Sequence, residues 1–263
     1  MTDSSNRSPL TVWLTGATSG IGEAVLIKLA ERGDHVLATG RNREKLDELS
    51  SRYPGYVTPL PGDVTDPLDV SRLQAELDQH TPIHWAILNA GTCEYMDVSD
   101  YDAELVSRVM NTNVVGAARS VGAVLPALRA SRDTSCRPLL AVVSSSAWWF
   151  PFTRAEAYGA SKAALTYFAE SLRADLDAEG IDVSVVSPGF VKTPLTDQND
   201  FEMPFLISAE QAAEIMVRNL DRHRADIHFP KRFTVSLKLL GLLPRSLRDR
   251  MAAAMSRNQA AQN

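Results

Sequence analysis

Two cysteines, Cys93 and Cys136, are all the thiols in 263 residues. One pair cannot supply the disulfide framework of a small secreted domain, and a chain of this length holds apolar material enough for a large core without one. Both cysteines are expected to be reduced. Long apolar runs are missing too: residues 237–243 and 141–152 are short or broken by Lys238, serines and Pro151, well under the roughly 18 residues of a spanning helix. The opening MTDSSNRSPL has no basic segment followed by an apolar one, so no secretory signal is read there. Positive charge is not in excess, since 27 Lys and Arg face 32 Asp and Glu for a formal net charge of −5. That balance argues against a general nucleic-acid binder. The five histidines form neither HExxH nor a compact ligand cluster, and no metal site is expected. A cytoplasmic chain without a transmembrane segment is the expectation.

What is present is an alternation of short apolar runs with amphipathic stretches. Residues 10–14, 36–39, 57–60, 83–88, 139–144, 181–186 and 226–229 read as strands. Helices are expected up to Arg32, with Gly33 as the stop, and over 43–52, 66–79, 100–129 with a bend or break at Pro126, 156–178, and from the capping-box pair Ser208 and Gln211 to about 220. Short strands apolar on both faces belong in a parallel sheet covered by helices. The fold expected is one α/β domain over residues 1–263, a Rossmann-like doubly wound parallel sheet of about seven strands with helices on both faces.

The octet Thr15-Gly16-Ala17-Thr18-Ser19-Gly20-Ile21-Gly22 falls where the first strand passes into the first helix. Gly16 suits a tight turn, Gly20 lets backbone approach a phosphate, and Gly22 permits close helix packing. The helix N-terminus favours an anionic pyrophosphate there. The spacing is not GxGxxG, and without Gly-Lys-Ser/Thr it is not a P-loop; alone, the octet also reads as a plain turn. Where NAD binders place Asp or Glu after the second strand, this chain has Gly40 and Arg41. Arg41 suits a ribose 2′-phosphate through charge-assisted hydrogen bonds, and also a solvated surface. Asp63-Val64 offers a carboxylate to an adenine amino group or caps a turn.

Tyr158 and Lys162, in YGASK, stand four residues apart on one helix face. A cation beside a phenol favours the phenolate and eases proton exchange near neutral pH, though such pairs also occur on solvated faces. Taken in order, TGATSGIG at 15–22, Asp63-Val64, Asn89-Ala90-Gly91, Asn113 in NTNVVG, the serines after the fifth strand, YxxxK, and PGFVKT at 188–193 form a set. With that set, the chain from about residue 10 to 229 resembles the short-chain dehydrogenase/reductase family in its single-domain form.

The resemblance implies a catalytic group of Asn113, Ser145, Tyr158 and Lys162 beside a nicotinamide cofactor. Of Ser144, Ser145 and Ser146, the family's spacing of 13 residues before the tyrosine selects Ser145; Ser144 is expected nearer the strand backbone, and Ser146 is the alternative if the loop is shifted. Tyr158 would exchange a proton with the substrate oxygen and Ser145 would hydrogen-bond that oxygen. Lys162 would lower the phenol's pKa and hold the nicotinamide ribose, and Asn113 would stabilise a helix irregularity and hold a relay water. The implied cofactor contacts are Thr15, Gly16, Thr18, Ser19, Gly20, Ile21, Gly22, Arg41, Asp63, Val64, Asn89, Ala90, Gly91, Tyr158, Lys162, Pro188, Gly189, Val191 and Thr193. NADP(H) is favoured over NAD(H), because Gly40 stands where NAD-specific members carry Asp and Arg41 follows it. Ser19 argues the other way, standing where many NADP-preferring relatives are basic.

Trp148-Trp149-Phe150-Pro151-Phe152 departs from the small segment usual after the family's serine strand. Core or subunit packing explains it, or an apolar substrate wall, which makes Trp148 a substrate-side candidate with Ser145 and Tyr158. Residues 190–207 align with the family's substrate-covering region. Residues 231–257 read as a C-terminal helical extension mixing leucines with Lys231, Arg232, Arg245, Arg248 and Arg250, suited to its own domain, a second subunit, the pocket or a membrane face. The resemblance further implies a homodimer or homotetramer acting on a small-molecule carbonyl or alcohol, apolar if the aromatics line the pocket. The expected activity is NADP(H)-dependent interconversion of a carbonyl compound and its alcohol. The alternatives are a catalytically inactive nucleotide-sensing or scaffold protein on the same fold, and an NAD(H)-dependent dehydrogenase.

Overall fold

The computed structural model describes residues 8–132, 134, 136–199 and 201–254. Seven strands, Thr11–Thr15 (β1), His35–Thr39 (β2), Val57–Pro59 (β3), Trp85–Leu88 (β4), Leu139–Val143 (β5), Asp182–Pro188 (β6) and Asp226–Phe229 (β7), form one sheet. Its order is β3-β2-β1-β4-β5-β6-β7, and each neighbouring pair is parallel. β4 and β5 are buried at every residue, because helices cover both faces and runs such as LLAVV have no polar side to turn to water.

Gly20–Glu31 (α1), Arg43–Arg52 (α2) and Ala209–Leu220 (α7) close one face, where Leu14, Leu26, Leu49 and Met216 share a core. Pro67–Gln79 (α3), Gly116–Ala130 (α5) and Glu156–Asp177 (α6) close the other over Trp13, Leu73, Val124 and Leu165. Successive β1 residues Trp13 and Leu14 therefore enter opposite cores, as a strand's alternation requires. The order reverses beside β1, with β2 on one side and β4 on the other, so the loops leaving these strands diverge and open a crevice at the carboxyl edge.

The expected capping box is present: Ser208 Oγ accepts from the Gln211 N–H at 3.2 Å, and Gln211 Oε1 accepts from the Ser208 N–H at 3.1 Å. Residues 100–129 are not a helix broken at Pro126. Ala103–Met110 (α4) runs through a π-helical turn, Asn111–Val115, into α5, and Pro126 lies inside α5. The residue four before it is Gly122, and both are exposed, so the carbonyl deprived of its donor is left to water and no Cβ crowds the ring. Lys231–Gly241 (α8) and Arg245–Ala254 (α9) end the described chain; residues 255–257 of the expected extension lie outside the described residues. No helix among the described residues is long and apolar enough to cross a membrane.

A buried carboxylate ties the first β-α-β unit together. Asp34 accepts from the Leu10 N–H at 2.9 Å and from Arg32 Nε at 2.6 Å, and Arg32 also reaches Asp221, just after α7, at 2.7 Å. Asp34→Ala orphans the Leu10 N–H and frees Arg32 from one partner, and is expected to cost about 2–4 kcal/mol in urea unfolding. A variant with an unshifted urea midpoint would remove this tie from the account of stability.

Candidate active site

The crevice holds a cleft of about 680 Å³ lined by the residues that follow β1 to β6. Its glycine turn is fixed from two sides. Gly16 and Gly20 take φ of +67° and +55°, the left-handed region open to glycine, and a Cβ on Gly22 would stand 2.0 Å from the Gly16 carbonyl oxygen. Behind the turn, Thr15 Oγ1 accepts from the N–H groups of Asn89 and Ala90, both at 3.1 Å, and Asn89 Nδ2 donates to the Gly16 carbonyl at 3.1 Å. Asn42, Asp66, Asp102 and Ser208 cap α2, α3, α4 and α7 with their side chains, whereas Ser19 makes no such bond to α1. The first N–H groups of α1 are thus without a side-chain acceptor beside the cleft, a donor set that suits a phosphate. These residues fit a dinucleotide.

A Cβ on Gly40 would stand 2.7 Å from Thr18 Cγ2, so a carboxylate enters there only if Thr18 moves. Arg41 lines the cleft, exposed, with no hydrogen-bond or ion-pair partner among the described residues. Asp63 both lines the cleft and caps a turn, its Oδ1 accepting from the N–H and hydroxyl of Thr65 at 2.8 and 2.7 Å.

At the other end, Ser145 follows β5. Its Oγ accepts from the Ala147 N–H at 3.1 Å, and Ser145 lines the cleft together with Tyr158 and Lys162. Ser144 is engaged elsewhere, donating to the Lys162 carbonyl at 3.0 Å and bonded to Thr166 Oγ1 at 2.7 Å. Ser146 is buried in the 3-10 turn Ser146–Trp149. Lys162 Nζ donates to the Val143 carbonyl at 3.0 Å and lies 5.8 Å from the centroid of the Tyr158 ring.

Asn113, fully buried in the π-helical turn, accepts from the Thr92 N–H at 2.7 Å and donates to the Thr92 carbonyl and to Ser161 Oγ, both at 2.9 Å. Ser161 in turn donates to the Tyr158 carbonyl at 2.7 Å. The irregular turn is stitched to the loop after β4 and to the helix that carries the tyrosine.

The family model described as short chain dehydrogenase matches residues 10–203. The chain belongs to the short-chain dehydrogenase/reductase family. An uncharacterized oxidoreductase of Myxococcus xanthus is 35% identical over 246 residues, 92% of this chain and 96% of that protein. The NADPH-dependent 1-acyldihydroxyacetone phosphate reductase of Schizosaccharomyces pombe is 35% identical over 70% of this chain and 60% of its own. Among solved structures, a short chain dehydrogenase from Burkholderia cenocepacia in complex with NADP superposes with a TM-score of 0.80 at 24% identity, covering 92% of this chain and 97% of that one. One from Burkholderia phymatum in complex with NAD gives 0.77 at 19% identity, covering 88% and 92%.

In this short-chain dehydrogenase/reductase, Thr18, Ser19, Gly20, Ile21, Val64, Ala90, Gly91, Pro188, Gly189, Val191 and Thr193 also line the cleft. Thr15, Gly22 and Asn113 stand behind it, and Trp148 is outside its lining. The aromatic run packs beneath α8: Phe150 is buried with Phe233 and Leu237, the Trp148 and Trp149 rings lie 5.6 Å apart, and Lys238 Nζ sits 4.6 Å from the Trp149 centroid. Sequence reasoning misses Ser161, although it stands inside YGASK. It also misses Glu94 and Arg108, a cleft-lining pair at 2.9 Å whose partners are 14 residues apart on different segments.

The electrostatics differ from the expectation for Tyr158. Burial pushes its phenol above the ordinary range, with the nearby Ser145 side chain pulling weakly the other way. Lys162 does not reverse this, since its ammonium bonds the Val143 carbonyl and burial pushes its own pKa from 10.5 down to about 8. Between about pH 8 and 9 the unfolded chain keeps a lysine proton that the folded chain releases, so this group makes stability rise with pH. Above pH 9 Cys93, pushed up to about 11 by burial, acts in the opposite sense. Across that unit wild-type stability should climb relative to Lys162→Met by up to about 1.4 kcal/mol in urea unfolding. A difference constant from pH 7 to 9 would exclude Lys162 as the titrating group.

Proposed function

We propose that this enzyme interconverts a small-molecule carbonyl compound and its alcohol with NADP(H), using Tyr158 as the proton-exchanging group. One observation carries the reading: Ser145, Tyr158 and Lys162 share a cleft with an uncapped, glycine-lined helix start. The glycine turn and the α1 N-terminus would hold the pyrophosphate, Asp63 and Val64 the adenine, and Lys162 with Tyr158 the nicotinamide ribose. Pro188, Gly189, Val191 and Thr193 would flank the nicotinamide. When bound, that ring supplies or accepts a hydride at the carbonyl carbon.

The chain's own part is proton handling and charge stabilisation. Ser145 donates to the substrate oxygen as negative charge grows there, which favours the transition state over the bound ground state. Burial keeps the Tyr158 phenol protonated, ready to give its proton to that oxygen in reduction. Lys162, with a pKa of about 8, can exchange a proton near neutral pH, and Asn113 holds the helix segment beside it. Residues 1–263 act as one domain of a cytoplasmic homodimer or homotetramer, with residues 190–207 covering the substrate. Tyr95 Oη donates to Asn199 Oδ1 of that segment at 2.8 Å. Trp148 packs against Trp149, and the aromatics beneath α8 are assigned to packing and not to a substrate wall.

Tyr158→Phe is expected to fold and bind NADPH as the parent does while losing about 10²–10⁴-fold in turnover on any carbonyl the parent reduces. Near-parental turnover at saturating substrate and cofactor would sink the role. For the cofactor, the closed Gly40 position and the unpartnered Arg41 support tighter binding of NADPH than NADH by titration calorimetry, with Arg41→Ala narrowing the gap by about 1–3 kcal/mol. Equal affinities in the parent would refute NADP(H) preference, and a gap unchanged in the variant would refute the role of Arg41.

A further inference from the structure

We propose that α8 and the start of α9 form a docking surface for an anionic lipid bilayer. One side of α8 buries Phe233, Thr234 and Leu237. The other carries Val235 and Leu239 and is continued by Leu242, the residue that ends the helix; they are 44%, 61% and 81% exposed. Spaced i, i+4 and i+7, these three share one stripe. Exposed aliphatic side chains aligned on a helix whose opposite side is already packed form an unpartnered apolar face.

Charge selects what covers it. Lys231 and Arg232 precede the stripe, Arg245 and Arg250 follow it, and all four are exposed. From 231 to 254, six Lys and Arg stand against one acid, Asp249, a net of +5; the chain's net is −5, so the remaining residues carry −10. A second copy docking by two-fold symmetry would set this basic rim against itself, and a head-to-tail contact with the acidic remainder would propagate instead of closing. An apolar stripe with cationic borders matches a helix lying in a bilayer interface, leucines at the acyl boundary and basic side chains on anionic headgroups. The docking helix adjoins the cleft wall, since a Cβ on the cleft-lining Gly189 would stand 2.7 Å from Phe233 Cδ1.

Co-sedimentation of the full chain with vesicles of phosphatidylcholine alone, or mixed with phosphatidylglycerol, tests the surface. Binding is expected to the mixed vesicles only, weakened about tenfold by molar salt. Leu239→Ser/Leu242→Ser, at exposed sites that leave the core intact, should keep the parental Tm and lose about tenfold or more of the binding. Failure to bind mixed vesicles, or binding that the double variant retains, overturns the proposal. So does a double variant that loses an oligomer seen by sedimentation velocity while the parent ignores vesicles, which assigns the stripe to a second copy.

Discussion

The burial of β1 between two parallel neighbours governs the rest of the structure. A central strand covered by helices on both faces can show its surroundings only its ends, so chemistry is confined to where strands stop. The hydroxyl of Thr15, the last residue of β1, accepts from two successive N–H groups after β4. That contact joins the glycine turn to the loop after β4, and the Asn113 clamp joins that loop to the π-helical turn and α6. A chain of short polar bonds therefore runs behind the cleft from the nucleotide end to the tyrosine.

Desolvation is the second constraint. It moves the phenol of Tyr158 and the ammonium of Lys162 in opposite directions, each toward its neutral form, because charge is disfavoured in a poorly hydrated pocket. The proximity of a cation to a phenol, which motif spacing suggests, does not by itself decide the phenol's protonation. Burial decides it here, and Lys162 faces the carbonyl of Val143 instead.

The alternation of strands and helices was legible in the sequence because burial on two faces leaves runs such as LLAVV with no competing pattern. The Ser208–Gln211 cap, the helix Arg43–Arg52 and the strand Asp226–Phe229 fall where the sequence puts them. A break at Pro126 does not occur, because proline is only a local signal and its site tolerates it, whereas the irregularity expected at Asn113 is a π-helical turn whose central residue is clamped by Thr92, 21 positions away. The aromatic run 148–152 was ambiguous for a related reason: its partners lie on α8, some 80 residues later.

Periodicity, the glycine octet and the order of short motifs by themselves determined the family, the sheet and the residue types available for proton and phosphate handling, since each rests on local spacing. Tertiary structure alone decided what Lys162 faces, and that an asparagine in one helix bonds a serine in another. Those outcomes depend on distances across the fold and on how much water remains around each group, and neither is encoded in local spacing.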